Sequence, residues 1–264
     1  MRIPVTMCHG ISTKSPDKPL TAEHFDRLMK IAGEMGFVSI HYDDLEAWRA
    51  GGGTLPERPI LIDVDHPVRS VRYEIHDVLS RYDLRGNLFI DTGRMDGPDE
   101  TMTWDEIREL VDAGWHIGAH TVNHPNLSKL SLEDPEGEKI RDELTRCDEA
   151  ILEHLGIQPK DFAFTGTSFS TVAQREVARR YRFGRLWITQ AYYQVNGEKI
   201  RYADLVGVDG DDEADGGPPM AARYIYRDTD PYLLPSMEIQ ALIYEPDAFR
   251  TYLAGSLTDD GASS

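Results

Sequence analysis

Short apolar runs alternate with amphipathic stretches along nearly the whole chain, and this alternation constrains its fold more than any other feature. Strand-like runs occur at RIPVTMCHG, FVSI, PILIDVD, GNLFIDTG, WHIGAH, DFAFTG and RLWIT. Between them lie helical stretches. TAEHFDRLMKIAGEMG carries Phe25, Leu28, Met29 and Ala32 at helical spacing, with Thr21 placed to cap it and Gly36 to stop it. TWDEIRELVDAG opens on Thr103 with Glu106 three residues on, the capping-box pattern. YDDLEAWRAGGG (with Asp43 as its cap), SVRYEIHDVLSRYD, EGEKIRDELTRCDEAILEHLG and TVAQREVARRYRFG also read as helices. Such alternation predicts a mostly parallel sheet covered by helices. Seven or eight repeats favour closure, so the expected fold is α/β, a distorted (β/α) barrel of about seven strands. It forms one domain over residues 1–256, with 257–264 as a flexible tail.

A chain of 264 residues is long enough for one sizeable core. Its net charge of −18 disfavours nucleic acid and anionic membranes as partners and favours neutral or cationic substrates. No apolar run is long enough to span a bilayer, and MRIPVTMCHG lacks the apolar core of a secretory signal. Two cysteines, Cys8 and Cys147, give neither a disulfide framework nor a cysteine zinc site. A cytoplasmic location is the expectation. The acidic stretch GVDGDDEADGGPP reads as a surface loop, and its spacing does not match an EF-hand calcium loop.

In parallel α/β architectures functional groups gather at the carboxyl ends of strands. Asp65 and His66 lie at such an end in ILIDVDHPVRS, as do Asp91, His120 and the Thr165-Gly166-Thr167 turn. Ionised carboxylates are costly beside a buried strand unless a cation or a proton-transfer task accounts for them. In WHIGAHTVNHPNLSKLS, Asn123 and Pro125 argue for a turn in which His120 and His124 converge. Two such imidazoles plus a residue from the Asp65-His66 pair make a three-ligand site with one position open for water. His-x-x-x-His alone is a weak signal, met more often in ordinary surface or capping histidines. Asp63 shares a strand face with Asp65, which raises one pKa or places Asp63 against a ligand. His9 reads either as a pocket residue or as a hydrogen-bonded core histidine. Asp91 and Arg94 read as loop capping. Trp187, Tyr192 and Tyr193 read as sugar-stacking, core or rim residues.

At these motifs the chain resembles the polysaccharide deacetylase family (NodB-homology, carbohydrate esterase family 4). MCHGIS is similar to the family's opening Tyr-His-Gly stretch, ILIDVDHPVRS stands where it has Thr-Phe-Asp-Asp-Gly, and DPYLLPSMEI resembles its late Leu-Pro-Arg stretch. The most specific match is MTWDEIRELVDAGWHIGAHTVNHPNLSKLS, which resembles the segment carrying the two metal-binding histidines. The resemblance implies a NodB-like barrel that hydrolyses an acetamide on an amino sugar. In the family the first Asp is the general base, while the second Asp and two histidines hold a metal ion. Those positions fall on Asp65, His66, His120 and His124, so this chain offers three histidines, a set that still suits zinc. Gly166 and Thr167 replace the Pro-Tyr-Gly that supplies an oxyanion N–H. The late Leu-x-x-His, whose histidine is the general acid, has no counterpart, and no histidine follows His154.

The expected function is therefore a metal-dependent hydrolase that removes an acyl (acetyl) group from an N-acylated sugar or related small amide. The bond broken is a carbon–nitrogen bond other than a peptide bond, and the substrate is a small molecule or an oligosaccharide. The assigned roles are Asp65 and Asp63 as catalytic carboxylates, His66, His120 and His124 as ligands of a divalent ion such as zinc, and Gly166, Thr167 and His9 as oxyanion or substrate-binding groups. The alternative is a non-catalytic sugar-binding or scaffolding member. The missing histidine and the altered third motif favour that alternative, while Asp65 with His120 and His124 opposes it. The sequence carries no signal for oligomeric state.

Overall fold

The computed structural model describes residues 1–95, 97, 100–188 and 192–258. In chain order the elements begin β1 (Ile3–Cys8), α1 (Ala22–Glu34), β2 (Val38–Ser39), α2 (Tyr42–Arg49), β3 (Pro59–Asp65), α3 (His76–Arg81) and β4 (Asn87–Ile90). They continue with α4 (Trp104–Asp112), β5 (His116–Ala119), α5 (Leu127–Glu133), α6 (Glu138–Leu155), β6 (Asp161–Ala163), β7 (Ser168–Phe169), α7 (Thr171–Ala178) and β8 (Phe183–Arg185). The remainder is β9 (Tyr192–Val195), β10 (Glu198–Arg201), α8 (Tyr202–Leu205), β11 (Tyr224–Ile225), β12 (Met237–Glu238), α9 (Ile239–Leu242) and α10 (Pro246–Leu257).

Seven strands run parallel in the order β12-β1-β3-β4-β5-β6-β8. The sheet curls until its edges meet, with Arg185 bridging to Leu234 and Ile188 to Met237. This is the distorted barrel the alternation predicts. β2 pairs with the start of β3, β11 runs antiparallel to β1, and β7, β9 and β10 form a small side sheet. No helix among the described residues is long and apolar enough to cross a membrane.

Strand periodicity sorts the side chains. Ile60, Ile62 and Val64 of β3 face the helical layer, packed with Leu28, Met29, Ile75 and Leu79. Leu61 points into the barrel with Val5, Phe89, Ala163 and Phe183. Asp63 and Asp65 share that inward face and are fully buried. Gly118 keeps this interior closed: a Cβ there would lie 2.5 Å from the Phe89 ring and 3.1 Å from the Asp161 carbonyl.

The termini of α1 and α4 match the reading of their sequences. Thr21 accepts from the His24 N–H, and Thr103 and Glu106 form a capping box. Other details differ. The helix expected over 70–83 opens with a wide π turn, Val71–Ile75. α2 is capped by His41, with Asp44 reaching back to the His41 N–H, whereas Asp43, the expected cap, pairs with Arg182 at 2.7 Å. α5, to which the sequence reading assigns no element, is capped by Asn126, which accepts from the Lys129 N–H. The strand expected over 185–189 starts two residues earlier, where Gly184 admits the Phe164 ring, and Thr189 lies outside the described residues. Of the expected tail, Leu257 closes α10 and 259–264 lie outside the described residues.

Gly118→Ala is expected to force Phe89 aside and cost about 1–3 kcal/mol, as overpacking of a filled core does. Urea denaturation of the two proteins measures this.

Candidate functional site

Three imidazoles meet at the carboxyl ends of β3 and β5. The ring centroids of His66, His120 and His124 lie 5.3, 5.0 and 4.8 Å apart. One nitrogen from each falls within 4.8 Å of the others. The backbone turns sharply to bring them there. His66 has φ 71°, Thr121 φ 70° and His124 φ 52°, all in the left-handed region that non-glycine residues enter at a cost. The Thr121 hydroxyl braces the second turn by accepting from the His124 N–H at 3.0 Å.

The proton positions follow from the neighbours. His120 Nδ1 lies 2.8 Å from the Ala163 carbonyl, which only accepts, so Nδ1 carries the proton and Nε2 a lone pair. His66 Nδ1 lies 3.1 Å from Asp91, whose other oxygen accepts from Arg94. Burial pushes the His120 imidazole down to about 3, against the opposing pull of Asp65, and it lowers His124 as well. Burial would raise Asp91, but His66 and Arg94 hold it below its ordinary value. Burial thus disfavours a charge on His120 and His124, and a second layer of oxygen atoms steers the His120 and His66 rings.

Beside it, Arg185 lies sealed inside the barrel between two carboxylates. Its NH2 donates to Asp65 Oδ1, and its Nε lies 3.2 Å from Asp63 Oδ2. Its plane rests over the Phe89 ring, 5.0 Å from the centroid. Asp63 also accepts from the Tyr42 hydroxyl at 2.7 Å and from the Asn87 amide at 3.0 Å. Burial pushes Asp63 up to about 6 despite Arg185. Burial acts on Asp65 too, but Arg185 and the nearby histidines dominate and hold it below the usual carboxylate range. Asp65 Oδ1 is engaged, and among the described residues no donor reaches its other oxygen.

The structure brings Asp65, His66, His120 and His124 together as the sequence suggests. His9 joins them: its ring stacks 5.3 Å from His66, meets Trp187 edge-on at 4.9 Å, and directs Nδ1 to Glu238 at 3.1 Å. Gly166, at φ 58°, and Thr167 form a turn tied to the His124 loop through the hydrogen bond from Thr165 to the Pro125 carbonyl. Among the described residues, neither the Gly166 nor the Thr167 N–H has a protein acceptor. Asp63 sits one pleat below Asp65, about 7 Å deeper, saturated with donors and out of reach of the cleft. Tyr193 is buried and Tyr192 exposed. A cavity of about 480 Å³ opens beside His9, walled by Ile11, Lys14, Val68, Arg69, Tyr73 and Glu100.

Sequence reading passed over Arg185 and Glu238. The signal for Arg185 is a lone charge on the inward phase of the apolar run FGRLWI. Glu238 carries none, because its strand is two residues long.

A sequence model of polysaccharide deacetylases matches residues 52–183, half of the chain. The chain belongs to the polysaccharide deacetylase family. It is 21% identical over 137 residues to the curated Bacillus subtilis (strain 168) protein YxkH, covering 52% of this chain and 48% of that protein. The chain therefore spans about half the length of that relative. The fold is similar to that of the Streptococcus pyogenes deacetylase PplD, with a TM-score of 0.71, 14% identity and coverage of 96% and 98% of the two chains. It also resembles IcaB from Ammonifex degensii, with a TM-score of 0.68, 17% identity and 97% of each chain covered.

Arg185→Met is expected to destabilise the family fold by about 3–5 kcal/mol, because it strands Asp63 and Asp65 without their shared cation. Chemical denaturation reads this directly.

Proposed function

We propose that this polysaccharide deacetylase family member is a metal-dependent hydrolase that removes an acetyl group from an N-acylated sugar or its oligomer. The observation that carries the reading is the convergence of three imidazoles beside a carboxylate with one uncommitted oxygen. The donor set fits a divalent ion, zinc first: His120 offers Nε2 because Nδ1 is committed to Ala163, and His66 offers Nε2 because Nδ1 faces Asp91. His66, His120 and His124 would hold the ion. When bound, it supplies Lewis acidity toward a carbonyl and toward water.

The chain's own groups perform the proton work. Asp65, fixed at Oδ1 by Arg185, accepts the proton of the attacking water on its other oxygen. The unengaged N–H groups of Gly166 and Thr167 receive the developing oxyanion. His9 takes the place of the absent late histidine. Glu238 holds its Nδ1–H, so as an imidazolium the ring gives the proton of its other nitrogen to the leaving amine and is left neutral. The cavity beside His9 admits the rest of the substrate.

Elemental analysis of the purified protein and acetate release from N-acetylglucosamine oligomers test this. About one divalent ion per chain is expected, lost in His124→Ala. Turnover is expected to fall about 10²–10⁴-fold in Asp65→Asn and in His9→Ala, with metal content retained in both. A metal-free protein whose hydrolysis is unchanged by Asp65→Asn overturns the reading.

A further inference from the structure

We propose that Asp63, held by Tyr42 and Asn87, is a positioning residue that sets the place of Arg185 and, through it, of the proton-accepting carboxylate Asp65. The inference rests on the assignment of Asp65 as that acceptor. It concerns a part of the barrel that never meets substrate.

The argument is geometric. A guanidinium presents five donors in a rigid plane and needs more than one anchor to be fixed in both place and tilt. Arg185 has three. The Phe89 ring lies under it at 5.0 Å, the Asp63 carboxylate forms an ion pair at its Nε edge at 3.2 Å, and Asp65 accepts from Nη2. Without Asp63, only the Asp65 contact and a ring face would remain, and the group could pivot about that single hydrogen bond. Asp63 is itself immobile. The Tyr42 hydroxyl and Arg185 converge on Oδ2, and Asn87 donates to Oδ1.

Both supports are rooted in the wall of the barrel. Tyr42 is fully buried at the start of α2, with its ring edge-on to Phe89 at 5.6 Å. Asn87 opens β4 and turns its carbonyl oxygen to His41 Nδ1 at 2.9 Å, while His41 Nε2 lies 2.9 Å from the Gly114 carbonyl. A continuous polar file thus crosses the apolar interior, from Gly114 through His41, Asn87, Asp63 and Arg185 to Asp65. Every side chain in it below Asp65 lies too deep to touch substrate. Its product is orientation: Oδ1 of Asp65 is occupied from beneath, and Oδ2 is left toward the histidines.

The test compares steady-state kinetics and metal content of wild type, Asp63→Asn, Tyr42→Phe, Arg185→Lys and the double variant Asp63→Asn/Arg185→Lys. Wild-type turnover and its loss in Asp65→Asn test the underlying assignment separately. Given that turnover, Asp63→Asn is expected to lower kcat about 10–100-fold, the range for partners that orient a reacting group, with KM and metal stoichiometry unchanged. Tyr42→Phe, a milder change that keeps the barrel filled, is expected to lower kcat by a smaller factor in the same way. The double variant is expected to be no slower than Arg185→Lys alone, because both substitutions remove one device. Unchanged kcat in both Asp63→Asn and Tyr42→Phe overturns the proposal. So does a loss carried by KM or metal content, or a double variant whose losses multiply.

Discussion

The arrangement turns on one buried cation. Arg185 is fully enclosed by the barrel, and a guanidinium in that position is tolerable only with anionic partners. Asp63 and Asp65 supply them, and Arg185 in turn makes two carboxylates on one strand face tolerable to each other. Remove Arg185 and two carboxylates remain without their cation inside an apolar wall. The triad is therefore a condition on the fold as much as on the chemistry. It explains why β3 ends in Asp-Val-Asp rather than in a further pair of aliphatic residues.

Above this layer the charge pattern changes character. Burial disfavours a charge on His120 and His124, while the Ala163 carbonyl and the Asp91 carboxylate orient the His120 and His66 rings. Two of the three sit on left-handed backbone, which a plain strand-to-helix connection does not need. Strain of that kind persists where the surroundings over-determine it. Here the His66–Asp91 contact and the Thr121 brace do so. The site is thus a rigid rim on a rigid base, with the polar file beneath it and the cavity beside His9 as its open side.

Much of this was legible in the chain. Long amphipathic helices announce themselves by period and caps, so α1, α4 and α6 fall where the sequence puts them. The inward phase of β3 and the His120–His124 turn follow from period two and from Pro125. What escaped depends on short elements and distant partners. α5 has a legible cap in Asn126 but only seven residues of pattern. The β9–β10 hairpin carries an Asn196-Gly197 turn, with φ 50° and 89°, the strongest local signal that was passed over. Asp91 was visible as a strand-end acid, but its contact with His66 joins two strands and exists only after the sheet forms. The same holds for Glu238 and His9, separated by nearly the whole chain.

The barrel's seam has a mechanical meaning. β8 and the segment leading into β12 close the wall through the bridges Arg185–Leu234 and Ile188–Met237, with backbone hydrogen bonds from Gly184 to Pro231, Leu186 to Leu234, Ile188 to Ser236 and Leu234 to Gly184. Arg185 stands on one lip of this join and Glu238 on the other. The partner of Asp65 and the partner of His9 thus sit on opposite sides of the line that closes the wall. A parting along that line would carry Arg185 and Glu238 away from each other, so the relative placement of Asp65 and His9 depends on the closure of this zip.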